Sequence, residues 1–71
     1  MKTEYEIYEI IYRGHTDEDV QKDWQEISVE NTSHAAFARV FQMRVMKPLR
    51  DLRIDRVISD EKGEISRERV K

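Results

Sequence analysis

The sequence predicts one small α+β domain over residues 1–71, with the element order β-β-α-β-β and one helix packed on an antiparallel sheet. Three observations support this fold class. Residues 4–12 are rich in tyrosine and isoleucine, which favour strands. Residues 24–30 and 52–59 alternate apolar and polar side chains. Between them, residues 35–46 form a long apolar run.

The first strand is predicted at residues 4–12. Tyr5 and Ile7 share one face of this strand, whereas Tyr8, Ile10 and Tyr12 share the other, so the apolar face changes midway. Two explanations fit this pattern: a bulge near Ile7–Tyr8, or partial cover on both faces.

The second strand is predicted at residues 24–30. It follows Gly14 and an acidic segment that forms either a solvated connection or one helical turn across 17–23. Gln25, Ile27 and Val29 are expected to point inward, and the solvent face of the strand is acidic.

The helix is predicted at about 33–46. Asn31, Thr32 and Ser33 are good N-caps, and Pro48 limits the other end because the residue before a proline disfavours the helical region. On a helical wheel, Phe37 and Phe41 are taken as the centre of the core side.

The last two strands follow the proline. Leu52, Ile54 and Ile58 share one face of a strand over 52–59. Gly63 lies in a turn sequence, "SDEKGE", at a position that commonly needs positive φ, so residues 64–69 are expected to return as a short polar edge strand.

Charge is unevenly distributed along the chain. The net charge is −2, but residues 1–31 carry nine acids and three bases, and residues 32–56 carry six bases and two acids. Antiparallel pairing of these halves would cancel much of the difference. The chain contains no cysteine, so disulfides and thiolate chemistry are excluded. No signal peptide or membrane span is predicted, and we expect a cytoplasmic protein.

Catalytic and cofactor motifs are not recognisable. His15 lies beside Asp17, Glu18 and Asp19, but their spacing is not that of a known metal loop. The two isolated glycines cannot form a phosphate-binding loop. We therefore expect no enzyme activity, no metal site and no cofactor.

Two regions are candidates for macromolecular contacts. The side of the helix opposite Phe37 and Phe41 combines small, flexible and cationic side chains, a composition that is typical of interfaces. Its proposed partner-binding residues are Ala36, Arg39, Gln42, Met43 and Met46. The same face could pair two copies of the chain as a homodimer.

The second candidate region is the basic segment 39–56. Its possible nucleic-acid contacts are Arg39, Arg44, Lys47, Arg50 and Arg53. The alternative is that these cations complement the helix dipole and pair with acids on neighbouring strands, since a pI of 5.7 is low for a nucleic-acid-binding domain.

An acidic face is predicted on the other side of the domain, where it could imitate nucleic-acid phosphates toward a basic partner. Its members are Asp17, Glu18, Asp19, Asp23 and Glu26.

The pattern "YEIYEI … WQEISVENTSHAAFARVF … LRIDRVISDEKGEI" resembles small accessory proteins of phages and mobile elements, some of which are anti-CRISPR inhibitors. The resemblance covers nearly the whole chain and concerns architecture alone, so it assigns no functional residue. It implies a non-enzymatic protein that occupies the surface of a host protein or complex. The alternative from another class is a small nucleic-acid-binding regulator that uses residues 39–56.

Overall fold

Four strands and one helix make up the fold. The computed structural model describes residues 1–14, 18, 20–48 and 50–71. The elements are β1 (Lys2–Arg13), β2 (Gln21–Glu30), α1 (Ser33–Met46), β3 (Leu52–Asp60) and β4 (Gly63–Arg69). The strands form one antiparallel sheet in the spatial order β2-β1-β3-β4. The predicted α+β class and element order are confirmed.

A bulge interrupts the pairing of β1 with β2 near Ile7–Tyr8, which is one of the two predicted alternatives. Its extra residue lies on β2, and β1 alternates without interruption along β3, so the change of apolar face in β1 itself fits the other alternative, partial cover on both faces. Ile7 pairs with Ser28 and Tyr8 pairs with Glu26, so Ile27 is an extra residue on β2. Because Ile27 is an extra residue, the side chains of β2 change sides after it, and Ser28 lies on the same side of the sheet as Ile7. Val29 then points to the opposite side, where it is 43% exposed. The predicted inward position of Val29 is therefore wrong, while Ile27 packs against the core.

The ends of α1 lie where the sequence predicted them. The Thr32 hydroxyl oxygen accepts a hydrogen bond from the Ala35 backbone N–H at 3.1 Å, which caps the first turn. At the other end, the Lys47 N–H donates to the Met43 carbonyl at 2.9 Å, immediately before Pro48. Local capping chemistry thus sets both boundaries.

The rotation of α1 about its axis differs from the prediction. α1 lies over β1 and β2, and it contributes Ala36 and Val40, which are 0% and 2% exposed, to a core with Ile7, Leu52 and Ile54. Phe37 and Phe41, which the wheel placed at the core centre, are 40% and 71% exposed. Small side chains under the helix let its backbone approach the sheet closely, and phenylalanine at those positions would hold it away.

The β3–β4 hairpin ends the fold. Gly63 has a φ of +125°, a region that side chains other than glycine rarely adopt, as its place in the turn predicted. All the side chains of β4 are exposed, which fits the expected polar edge strand. Beyond β4, the Val70 N–H donates to the Ile54 carbonyl at 2.9 Å, and Val70 packs against the core.

Candidate interaction surface

An apolar strip runs along the solvent side of α1. Phe37, Phe41 and Val45 are spaced at i, i+4 and i+8, so they lie on one side of the helix. They are 40%, 71% and 66% exposed. We call these three residues the exposed helix strip. A contiguous group of large exposed apolar side chains is more typical of an interaction site than of ordinary protein surface.

A groove follows this strip between α1 and the C-terminal residues. It has a volume of about 380 Å³. The Lys71 ammonium lies 5.4 Å from the centre of the Phe37 ring, within the range of a cation–π contact. The lining residues are His34, Phe37, Ala38, Val40, Phe41, Arg44 and Lys71. Most of the lining residues are therefore apolar, and the charged ones, Arg44 and Lys71, are cations.

Only some of the partner-binding residues predicted from the sequence lie together on one surface. Arg39, Gln42, Met43 and Met46 line a second depression with Arg50, on the other flank of α1. Met46 is 78% exposed there, whereas Met43 packs partly against the core. Ala36 is 0% exposed and lies beneath the helix, so it is not on this surface. The placement of Ala36 is a correction that follows from the rotation of α1.

The basic segment does not form one cationic surface. Arg50 pairs with Glu9 across to β1, and Arg53 pairs with Asp55 on the same strand. Within the part of the chain that the structure describes, Arg39, Arg44 and Lys47 have no carboxylate at ion-pair distance. The five residues predicted to contact nucleic acid are thus divided into two groups: Arg50, before β3, and Arg53, in β3, are paired with carboxylates, whereas Arg39, Arg44 and Lys47 are not paired within the described residues.

The sheet face opposite α1 carries a network of ion pairs centred on Asp55. This carboxylate is 1% exposed. Arg53 donates to it twice, from Nε at 2.9 Å and from Nη2 at 2.8 Å, and Arg67 donates from Nη1 at 3.2 Å. The bidentate geometry is the strongest form of an arginine–carboxylate pair.

Arg67 extends the network across three strands. Its Nη1 also donates to Glu6 at 2.7 Å and to the Tyr8 hydroxyl at 3.0 Å on β1, and its Nη2 donates to Glu64 at 2.8 Å. The Tyr8 hydroxyl in turn donates to Glu6. These side-chain contacts link β4 to β1 as well as to β3, with which it also pairs through its backbone.

Neighbouring cations shift the pKa values of two carboxyl groups. Burial alone would raise the pKa of Asp55, but hydrogen bonds from Arg53 and Arg67 outweigh burial and hold it below its ordinary value. The hydrogen bond from Arg50 lowers the pKa of Glu9, and burial opposes this effect only in part. Both carboxyl groups are therefore ionised at neutral pH.

Aromatic rings and guanidinium groups stack on the same sheet face. Arg53 lies 5.3 Å from the centre of the Trp24 ring and 5.7 Å from that of Tyr8, and Arg69 lies 5.6 Å from the Trp24 ring. The two arginines reach from β3 and β4 toward β2. Because the guanidinium of Arg53 also donates to Asp55, both its hydrogen-bond acceptor and its aromatic partners lie within this sheet face.

The predicted acidic face is not a single surface. Asp23 pairs with Ile11 and Glu26 pairs with Tyr8, and positions three apart in a strand point to opposite faces. Glu18 is exposed in a turn, while Asp17 and Asp19 lie outside the described residues. Separation of Asp23 from Glu26 leaves no common acidic face in β2.

The described residues hold neither a metal-binding cluster nor a membrane-spanning helix. Residues 1–14, 18, 20–48 and 50–71 contain no group of three or more His, Cys, Asp or Glu side chains placed to hold a metal ion. They also contain no helix with the length and apolar character needed to cross a bilayer.

Sequence reasoning missed the exposed helix strip because it assigned the larger apolar residues to the core. The signal was present: Ala36, Val40 and Met43 also form an i, i+4, i+7 stripe beside Phe37 and Phe41. The Asp55 network was harder to find, since Glu6, Asp55 and Arg67 are far apart in sequence and meet only through strand register.

Comparison with known proteins identifies no relative. No protein-family model, no curated protein and no solved structure matches this chain.

Proposed function

We propose that this chain is a non-enzymatic binding protein that docks on another protein through the exposed helix strip. The observation that carries this proposal is the exposure of Phe37, Phe41 and Val45, while only six apolar residues are buried in the part of the chain that the structure describes. Leaving large apolar side chains in water forgoes stabilisation of about 25 cal/mol per Å² of apolar area. A partner that covers them recovers that free energy.

We further propose that the partner is a host protein or complex, which the chain would inhibit or modulate by occupying a surface. This part of the proposal rests on the element order β-β-α-β-β, in which the chain resembles small accessory proteins of phages and mobile elements. The rival function, nucleic-acid binding by residues 39–56, has less support because Arg50 and Arg53 are already paired with Glu9 and Asp55. Each phosphate contact by these arginines would first have to break an ion pair.

Affinity capture from a bacterial lysate tests the proposal when three forms of the chain are compared. The wild type should retain one protein, Phe41→Gln should lose it, and Ile65→Gln should keep it. Ile65 is the matched control because it is a 55% exposed apolar residue on β4, away from α1. Equal retention by all three forms, or loss with Ile65→Gln alone, would reject the exposed helix strip as the binding surface.

A further inference from the structure

The charges around the groove indicate what kind of protein fits it. Arg44 and Lys71 both line the groove, and the Lys71 ammonium lies beside the Phe37 ring. Position 44 is seven residues beyond position 37, which is about 10 Å along a helix that rises about 1.5 Å per residue. The groove therefore combines apolar side chains with two cations, one beside Phe37 and one about two helical turns further along α1.

Among the described residues, no aspartate or glutamate is paired with these two cations. The sequence of α1, Ser33–Met46, contains no aspartate or glutamate. The charges of Arg44 and Lys71 are thus available to a partner, and acidic side chains of that partner would complement them.

Self-association through the same face is disfavoured by charge. A two-fold dimer places the same surface patch of each copy against the other. Two copies of α1 would then bring two Arg44 and two Lys71 side chains to one interface with no acid from either helix. Like charges at an interface weaken association.

We infer, on the basis of the proposed function, that the groove binds an acidic amphipathic helix of another protein. A helix that runs along the groove would place apolar residues on Phe37 and Phe41. It would place acids about seven residues apart, because Lys71 lies beside Phe37 and Arg44 is seven residues further along α1. The apolar contacts supply most of the affinity, and the acids set the choice of partner.

Two synthetic helical peptides of about 18 residues, a length at which isolated helices become stable, provide the test. Both carry leucines on one face, and they differ in having glutamate or lysine at the two positions seven residues apart. Fluorescence anisotropy should show that the glutamate peptide binds at least about tenfold more tightly, a difference of about 1.4 kcal/mol. Its affinity should fall between about 0.05 M and about 0.5 M salt.

Variants separate the role of charge from the role of the apolar strip. Phe41→Gln should abolish binding of the glutamate peptide, and Arg44→Gln should remove most of its advantage over the lysine peptide. Arg56→Gln is the matched control, because Arg56 is a partly exposed arginine on β3 that pairs with Glu68 and does not line the groove. This control should bind like the wild type.

The outcomes distinguish the inference from the proposed function. Equal affinity for both peptides, lost in Phe41→Gln, would overturn the acidic partner and support the exposed helix strip. Binding that survives Phe41→Gln would count against both. Absence of binding to either peptide would overturn the inference, whereas lysate capture would still test the proposed function.

Three alternative partners should be tested in parallel: a nucleic acid, a membrane and a second copy of this chain. Tighter binding to single-stranded DNA or to anionic phosphatidylserine vesicles than to the glutamate peptide would replace the protein partner with a nucleic acid or a membrane. Sedimentation equilibrium that shows a dimer in the wild type and a monomer in Phe41→Gln would assign the groove to a second copy. Each of these results would overturn the inference.

Discussion

Val40 and Phe41 are consecutive residues of α1, yet Val40 is 2% exposed and Phe41 is 71% exposed. The smaller side chain fills the space between helix and sheet, and the larger one faces water. This arrangement determines both the stability of the domain and the surface that it offers to a partner.

Substitutions at these two positions should therefore have unequal effects on stability. Val40→Ala should lower the free energy of unfolding by about 2 kcal/mol, because it removes two buried methyl groups and leaves a cavity. Phe41→Gln should change it by less than about 0.5 kcal/mol, as is usual for exposed positions. Urea unfolding followed by circular dichroism measures both. A larger loss in Phe41→Gln than in Val40→Ala would contradict the observed rotation of α1.

The Asp55 network should be a major contribution to stability. In Asp55→Asn the amide cannot balance the charges of Arg53 and Arg67. We expect a loss of about 2 to 3 kcal/mol, which is less than for a fully buried pair because these arginine side chains are 26% and 35% exposed. The exposed Arg56–Glu68 pair is the control, and Arg56→Gln should cost less than about 1 kcal/mol. Similar losses of unfolding free energy in the two variants would show that the Asp55 network stabilises the fold no more than an exposed ion pair does.

Stability should decrease in acid. The pKa values of Asp55 and Glu9 lie below their ordinary values of 3.8 and 4.5 in the folded state. These carboxylates therefore stabilise the fold above those pH values, and their contribution is lost as the pH falls through the lowered pKa values. The urea midpoint should be nearly constant from pH 7 to about 5 and should fall below about pH 4.5. The decrease should be smaller in Asp55→Asn, and an identical decrease would exclude Asp55 as one of its causes.

The N-cap of α1 offers a further test. Thr32→Ala removes the hydroxyl that accepts from the Ala35 N–H, so we expect a loss of about 1 kcal/mol. Ser33→Ala is a matched control, because Ser33 is the first helical residue and the capping bond is made by Thr32. Thermal unfolding should give a lower midpoint for Thr32→Ala alone. Equal midpoints for the two variants would mean that the cap contributes little.

Short-range chemistry explains why so much of the fold could be predicted. The bounds of α1 follow from Thr32 and Pro48, and the β3–β4 turn follows from Gly63. Each of these features depends on a few residues that are close together in the sequence. Backbone preferences therefore suffice to locate them.

The candidate site was less predictable. The basic segment looked continuous in sequence, but the register of β1 with β3 places Glu9 near Arg50, and Asp55 lies beneath Arg53 and Arg67. The register of the strands therefore determines which of the cations are paired with a carboxylate. Sequence composition alone could not separate the paired arginines from Arg39 and Arg44.

The sequence by itself determined that this chain forms four strands and one helix, because propensity, capping and turn chemistry act over a few neighbouring residues. Only the tertiary structure decided which side of α1 meets the sheet. Two adjacent apolar stripes compete on that helix, and close packing selected the stripe of Ala36 and Val40 over that of Phe37 and Phe41. The surface proposed to bind a partner is the stripe that packing left in water.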